Sequence, residues 1–216
     1  MFRSAFLHGV TAALVGSAVP SPLPLASPSP TARPNPLSLC HVNPTLPYDR
    51  PLELKMRVLD GPDFDLMRYR GYSVWLNIFA TWCGPCNEEQ PLVATLAEEY
   101  YDRGLRVIGM DCEEADDTVR LYRKRYGLTY PIAMDANGGF TNGLEMRGNT
   151  AFPGHLFFTP SGYLSCYRLG TMGERMMRFK INEIVSLRDT APSPGPIPTR
   201  TPFPSPTPLA SPSLKN

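Results

Sequence analysis

The sequence predicts an α/β domain, a mixed central sheet with helices on both faces. Three observations lead there. Short apolar, β-rich runs alternate with segments whose apolar residues recur at helical spacing. The run HLFFTPSGYLSCYRLG is broken at Pro160-Ser161-Gly162 and reads as a hairpin. Proline is segregated: of 25 residues, 10 lie from Pro20 to Pro51, 9 from Pro192 to Pro212, and only 6 between. One globular body over 51–189 therefore carries a Pro/Ser-rich linker at 20–50 and a Pro/Ser-rich tail at 190–216. Both flanks lack the apolar surface that would offset the entropy of ordering, and they are read as extended, solvated, disordered chain.

The elements of the body follow in order. LELKMRVLDGPDF alternates apolar and polar residues around an Asp60-Gly61 turn, as an edge strand or hairpin does. YSVWLNIFA is almost wholly apolar, as a strand covered on both faces requires. NEEQPLVATLAEEYYDRG places Leu92, Leu96 and Tyr100, with Val93 and Ala97, at helical spacing and stops at Gly104. Pro91 lies inside that helix, where it removes one backbone hydrogen bond and is expected to kink it. LRVIGMD is a second buried strand. ADDTVRLYRKRYG is a helix with acids first, bases last and Gly127 as its stop. YPIAMD is a short strand. MGERMMRFKINEIVSLR closes the body, with Met176, Phe179, Ile184 and Leu187 expected on its apolar face. The βαβ crossovers imply parallel pairing, and the hairpin adds antiparallel strands.

The net charge of +1 and the lack of a basic cluster exclude a nucleic-acid partner. Residues 1–19, MFRSAFLHGVTAALVGSAV, have one early Arg3, an apolar run and a small-residue site at Gly16-Ser17-Ala18. They read as a secretory signal or an N-terminal anchor, which places the body outside the cytoplasm. An odd count of five cysteines leaves at least one thiol unpaired within the chain. Cys40 reads as a free tail cysteine; Cys112 and Cys166 read as small strand residues, on opposite sides of the central strand and not bonded to each other.

The chemistry sits in NIFATWCGPCNEEQP. A strand, then Cys83-Gly84-Pro85-Cys86, then a helix puts Cys83 at a helix N-terminus, where free N–H groups and the dipole stabilise its thiolate. Cys83 is thus expected to be the acidic, exposed nucleophile, and Cys86, one turn further in, the shielded resolving thiol. Gly84 allows the tight turn and Pro85 starts the helix. Glu88 and Glu89 read as surface acids of the first turn. A zinc site would need two more ligands, and His155 is the body's lone histidine, since His8 and His41 lie in the leader and linker. His155 itself reads as a strand residue. No metal or organic cofactor is expected.

FATWCGPCNEEQP resembles the active-site segment of the thioredoxin superfamily. It is most similar to the TlpA/ResA-like thiol–disulfide oxidoreductases, with Phe79, Ala80, Thr81, Trp82, Cys83, Pro85, Cys86, Glu89 and Pro91 in place. The similarity runs from about Leu52 to Leu187 and includes the extra αβ unit before the hairpin. The resemblance implies a thioredoxin-like fold and a redox-active Cys83–Cys86 disulfide. It puts Pro153 at the family's cis-proline, with the backbone of Phe152 turned toward substrate; Gly154 departs from the threonine usual there. It implies that Trp82, Gly84, Pro85, Phe152 and Pro153 line the substrate contact. It also implies a glutamate after the second strand, aligned with Glu114, that moves protons to and from Cys86.

The activity so implied is extracytoplasmic reduction of protein disulfides. The partners would be an exported, disulfide-containing protein, with apocytochrome c as one example, and a membrane thiol reductase as electron donor. The chain would act as a monomer. Two alternatives stand beside it: a thiol peroxidase, and a non-catalytic module binding a partner protein or copper through Cys83, Cys86 and His155.

Overall fold

The computed structural model describes residues 40–144, 146 and 151–187. The signal segment, most of the linker and the whole C-terminal tail lie outside the described residues. A short antiparallel pair, β1 (Lys55–Met56) and β2 (Phe64–Asp65), enters the domain. The main sheet has five strands: β3 (Ser73–Phe79), β4 (Leu105–Cys112), β5 (Ile132–Asp135), β6 (Gly154–Phe158) and β7 (Leu164–Leu169). Their order is β5-β4-β3-β6-β7. The β3–β4 and β4–β5 pairs are parallel; the β3–β6 and β6–β7 pairs are antiparallel. Every residue of β3 is buried, as its unbroken apolar run requires.

The helices are α1 (Gly84–Glu99), α2 (Asp116–Tyr126), α3 (Gly139–Gly143) and α4 (Glu174–Val185). The β3-α1-β4 and β4-α2-β5 crossovers step across the sheet in one direction, so right-handed connections put α1 and α2 on one face. There Phe79 stacks on Tyr122 of α2 at 4.9 Å. α4 lies beside α1, joined by Arg178 to Glu99 and Arg103 to Asn182. On β4, Asp111 points to that face and Cys112 to the other. The short α3 covers the second face, with the Thr141 hydroxyl 3.1 Å from Cys112 Sγ. Among the described residues, no helix is long and apolar enough to cross a membrane.

Three sequence expectations need correcting. Cys40 is not free: it forms a disulfide with Cys166, across a sequence separation of 126. The chain before the body runs antiparallel along edge strand β7, with the His41 N–H donating to Tyr167 O at 2.6 Å. Residues 40–50 are therefore anchored to the domain rather than solvated linker, and Leu46 is buried in its core. Their prolines masked this, because composition cannot register a partner 126 residues away. On α4, Phe179 and Leu187 are exposed; the buried set is Met177, Lys180, Ile181 and Ile184. Lys180 enters that face because Glu183 pairs its ammonium at 3.1 Å.

Candidate active site

The turn after β3 is held by backbone bonds from Cys83 N–H to Ala80 O and from Asn87 N–H to Cys83 O, each 3.1 Å. Cys83 is the N-cap of α1, with extended backbone (φ −77°, ψ 109°). Its Sγ accepts the Cys86 N–H at 3.2 Å. This is the position at which unpaired amide donors favour a thiolate. Cys83 and Cys86 are bonded to each other, with Cα atoms 5.3 Å apart. In this oxidised state Cys83 is buried nearly as deeply as Cys86, at 4% and 2% exposure, which corrects the expectation of an exposed nucleophile. The exposed parts of the site are Trp82, Gly84 and Pro85. Trp82, half exposed, meets Phe152 edge-on at 5.6 Å. The Phe152–Pro153 peptide is cis, the isomer the resemblance implies. Gly154, the departure from the family pattern, has a packing reason: a Cβ there would lie 2.7 Å from Met146 Cε and 3.3 Å from Ile78 Cβ.

Glu114 sits at this turn. Its carboxylate accepts the Thr81 N–H and the Thr81 hydroxyl, each at 2.5 Å, two residues ahead of Cys83. Both its oxygens are thus engaged by Thr81. Glu114 N–H donates to Asp111 Oδ2 at 3.2 Å. Asp111 is fully buried; burial first, then the Glu114 carboxyl, push its pKa up to about 8. The remaining free thiol, Cys112, is buried, and desolvation pushes it up to about 11, which makes it a poor nucleophile.

Sequence reasoning missed two groups here. Glu89 is buried, not a surface acid: its Oε1 accepts the Met172 N–H, and its Oε2 lies 3.4 Å from His155 Nε2. The signal was present, since the buried stripe Val93, Leu96, Ala97 extrapolates back to Gln90, Glu89 and Cys86 at helical spacing. His155 is a fully buried β6 residue opposite Asn77, lying over Trp75. Asp111 gave no signal, because a lone acid ending an apolar strand looks like the start of a loop.

The Redoxin family model matches residues 42–165, more than half of the chain. The protein belongs to the Redoxin family. Among Redoxin relatives, the chain is 36% identical over 80 residues to the protein named thiol-disulfide oxidoreductase ResA of Bacillus thuringiensis subsp. konkukian. That match covers 37% of this chain and 46% of the relative, so the chain spans about half the length of the ResA protein it matches. It is 29% identical over 133 residues to the thioredoxin-like protein YneN of Bacillus subtilis, covering 60% of this chain and 75% of that one. Its fold matches a thiol:disulfide interchange protein of the thioredoxin family from Chlorobium tepidum TLS, with TM-score 0.53 and 25% identity over 63% of this chain and 96% of the other. The fold of this Redoxin protein is thus thioredoxin-like, carrying the β5 and α2 addition.

Proposed function

We propose that the protein is an extracytoplasmic thiol–disulfide oxidoreductase that reduces disulfides in exported proteins. One observation carries this reading: a Cys83–Cys86 disulfide whose first sulfur caps the N-terminus of α1 and accepts the Cys86 N–H. A disulfide placed there gives, on reduction, a thiolate stabilised by the helix end. Cys83 thiolate attacks one sulfur of the partner disulfide, forming a mixed disulfide and releasing the partner's other thiolate, which takes up a proton. Cys86 loses its proton and attacks Cys83 Sγ. The second partner sulfur leaves as a thiolate and is protonated. Two electrons have then passed to the partner, and the chain is left with the Cys83–Cys86 bond. A membrane thiol reductase is the proposed donor that resets it, and no metal or organic cofactor enters the cycle.

Trp82, Gly84, Pro85 and the Phe152–Pro153 segment form the proposed substrate contact. Glu89, three residues after Cys86 on the buried side of α1, is proposed to exchange the Cys86 proton by turning from His155 toward that neighbouring position. Glu114 acts on Cys83 through Thr81. The export reading rests on the signal-like N-terminus and on the Cys40–Cys166 disulfide, a bond that persists in oxidising compartments. An apocytochrome c is the proposed substrate class, taken from the resemblance to ResA-like proteins.

The test is insulin-disulfide reduction and trapping by the intact protein. Cys83→Ser is expected to abolish turnover, and Cys86→Ser to accumulate mixed disulfides whose partners mass spectrometry identifies. Turnover that persists in Cys83→Ser rejects the mechanism; rapid peroxide consumption without disulfide reduction would favour a thiol peroxidase instead.

A further inference from the structure

The end of β4 is built in an unusual way. Glu113 has a left-handed backbone (φ 61°), which non-glycine residues seldom adopt and which a fold keeps where a particular placement depends on it. What it places is Glu114, folded back so that its N–H reaches Asp111 and its carboxylate takes both donors of Thr81. Asp111 itself has no exposed surface, and its Oδ1 is buried without a donor. An ionised carboxylate left in that position, beside a second carboxylate, is a costly arrangement. A proton on Asp111 resolves both problems: the carboxyl becomes neutral, and its O–H has the Glu114 carboxylate as acceptor.

We propose that Asp111 is a positioning residue for the redox pair, carrying a proton that it donates to Glu114 and thereby holding Glu114 on Thr81, two residues ahead of Cys83. This rests on the reading of Cys83 as the nucleophile. The surroundings favour the neutral acid. Glu114 faces Asp111 from the loop, and Cys112 neighbours it on its own strand. α2 presents the buried phenol of Tyr122, whose O–H donates to Gln90 of α1 at 3.3 Å. Glu89 of α1 is directed to His155 instead. The flanking strands offer Phe79 and Met134 at the paired positions. The displaced acidity of Asp111 agrees with this geometry. Loss of the proton puts two carboxylates together, frees Glu114 from its place and loosens the turn that presents Cys83.

The experiment follows the rate of Cys83 alkylation in the reduced full-length protein from pH 7 to pH 9, by mass spectrometry, for the wild type and Asp111→Asn. Asparagine presents an N–H to Glu114 and does not titrate, so it serves as the rescuing variant. Thiol ionisation raises the rate with pH in both proteins and cancels in their ratio. The wild-type to Asn ratio is expected to fall by up to about tenfold over this range, the fall in protonated fraction for a group titrating near 8. Asp111→Leu is expected to alkylate slowly throughout. A flat ratio, or a uniform loss in Asp111→Asn together with a lowered melting point, overturns the proposal. Should Asp111→Asn fail to fold, infrared spectra of the wild type decide: a protonated-carboxyl stretch present at pH 7 and lost by pH 9 is expected, and its absence at pH 7 refutes the idea. Alkylation requires only a thiol, so this test reads Asp111 even if the protein reduces no disulfide and the proposed function fails.

Discussion

The Cys40–Cys166 bond offers the sharpest stability prediction. It closes a loop across a sequence separation of 126. In the chain-entropy model, a cross-link of that span removes enough freedom from the unfolded chain to contribute about 5 kcal/mol near room temperature, and measured native disulfides fall in a range of about 2–5 kcal/mol. In the folded state the anchored segment is also held by the His41–Tyr167 pairing, by Leu169 N–H donating to His41 Nδ1 at 3.2 Å, and by Thr45 Oγ1 donating to Gly143 O at 2.9 Å. Removing the bond therefore leaves the native contacts available and acts mainly on the unfolded state. Cys40→Ala and the Cys40→Ala/Cys166→Ala pair are compared with the wild type by denaturant unfolding, with Cys83–Cys86 oxidised throughout. Both variants are expected to lose about 3–5 kcal/mol, and the pair about 1 kcal/mol more for the small cavity at fully buried Cys166. A loss under about 1 kcal/mol in Cys40→Ala, or peptide maps of the oxidised wild type with Cys40 and Cys166 as free thiols, would refute the reasoning.

Asp111 ionises near 3.8 in the unfolded chain but holds its proton to about 8 when folded, so its contribution to stability declines as pH rises through that window. Unfolding measured at pH 4 and pH 8 should show Asp111→Asn gaining on the wild type as pH rises, and a constant difference would contradict it. Gly154→Thr drives a side chain against Met146 and Ile78 and is expected to cost about 1–3 kcal/mol by overpacking; a thermal melt at or above the wild-type value would show that the site has room. Trp82 is half exposed and contacts Phe152 edge-on, so Trp82→Ala should alter stability by about 0.5 kcal/mol or less while raising KM for a protein substrate roughly tenfold, as loss of an aromatic anchor does. Unchanged KM with reduced stability would make Trp82 a structural residue instead.

Much of this fold was legible because its strands are either wholly apolar or sharply bounded. β3 reads as buried from Ser73 to Phe79, and the hairpin is marked by Pro160-Ser161-Gly162. The Cys83–Cys86 pair was legible because its chemistry depends on local order alone, a strand, a turn and a helix start. The rest depended on contacts distant in sequence. Cys40 meets Cys166 only because the chain before the domain doubles along β7. Glu89 reads as a surface acid until the packing of α1 turns it toward His155. α3 is one short turn of GFTNG, a sequence whose glycines argue against a helix; Asp135 makes it possible by accepting the Thr141 N–H and hydroxyl at 2.9 and 2.8 Å. Glu114 could be named through the resemblance, but not Asp111, nor the fold-back at Glu113 that brings the two together.

Which sulfur reacts first is the measurement that bears most directly on the account. The reduced protein is treated with a limiting amount of alkylating agent near neutral pH, and the labelled cysteine is located by mass spectrometry. The helix-capped thiolate predicts modification at Cys83 ahead of Cys86, Cys112 and the Cys40–Cys166 pair, with a titration below the ~8.5 of a free thiol. Preferential labelling of Cys86, or equal slow labelling of all five cysteines, would contradict it.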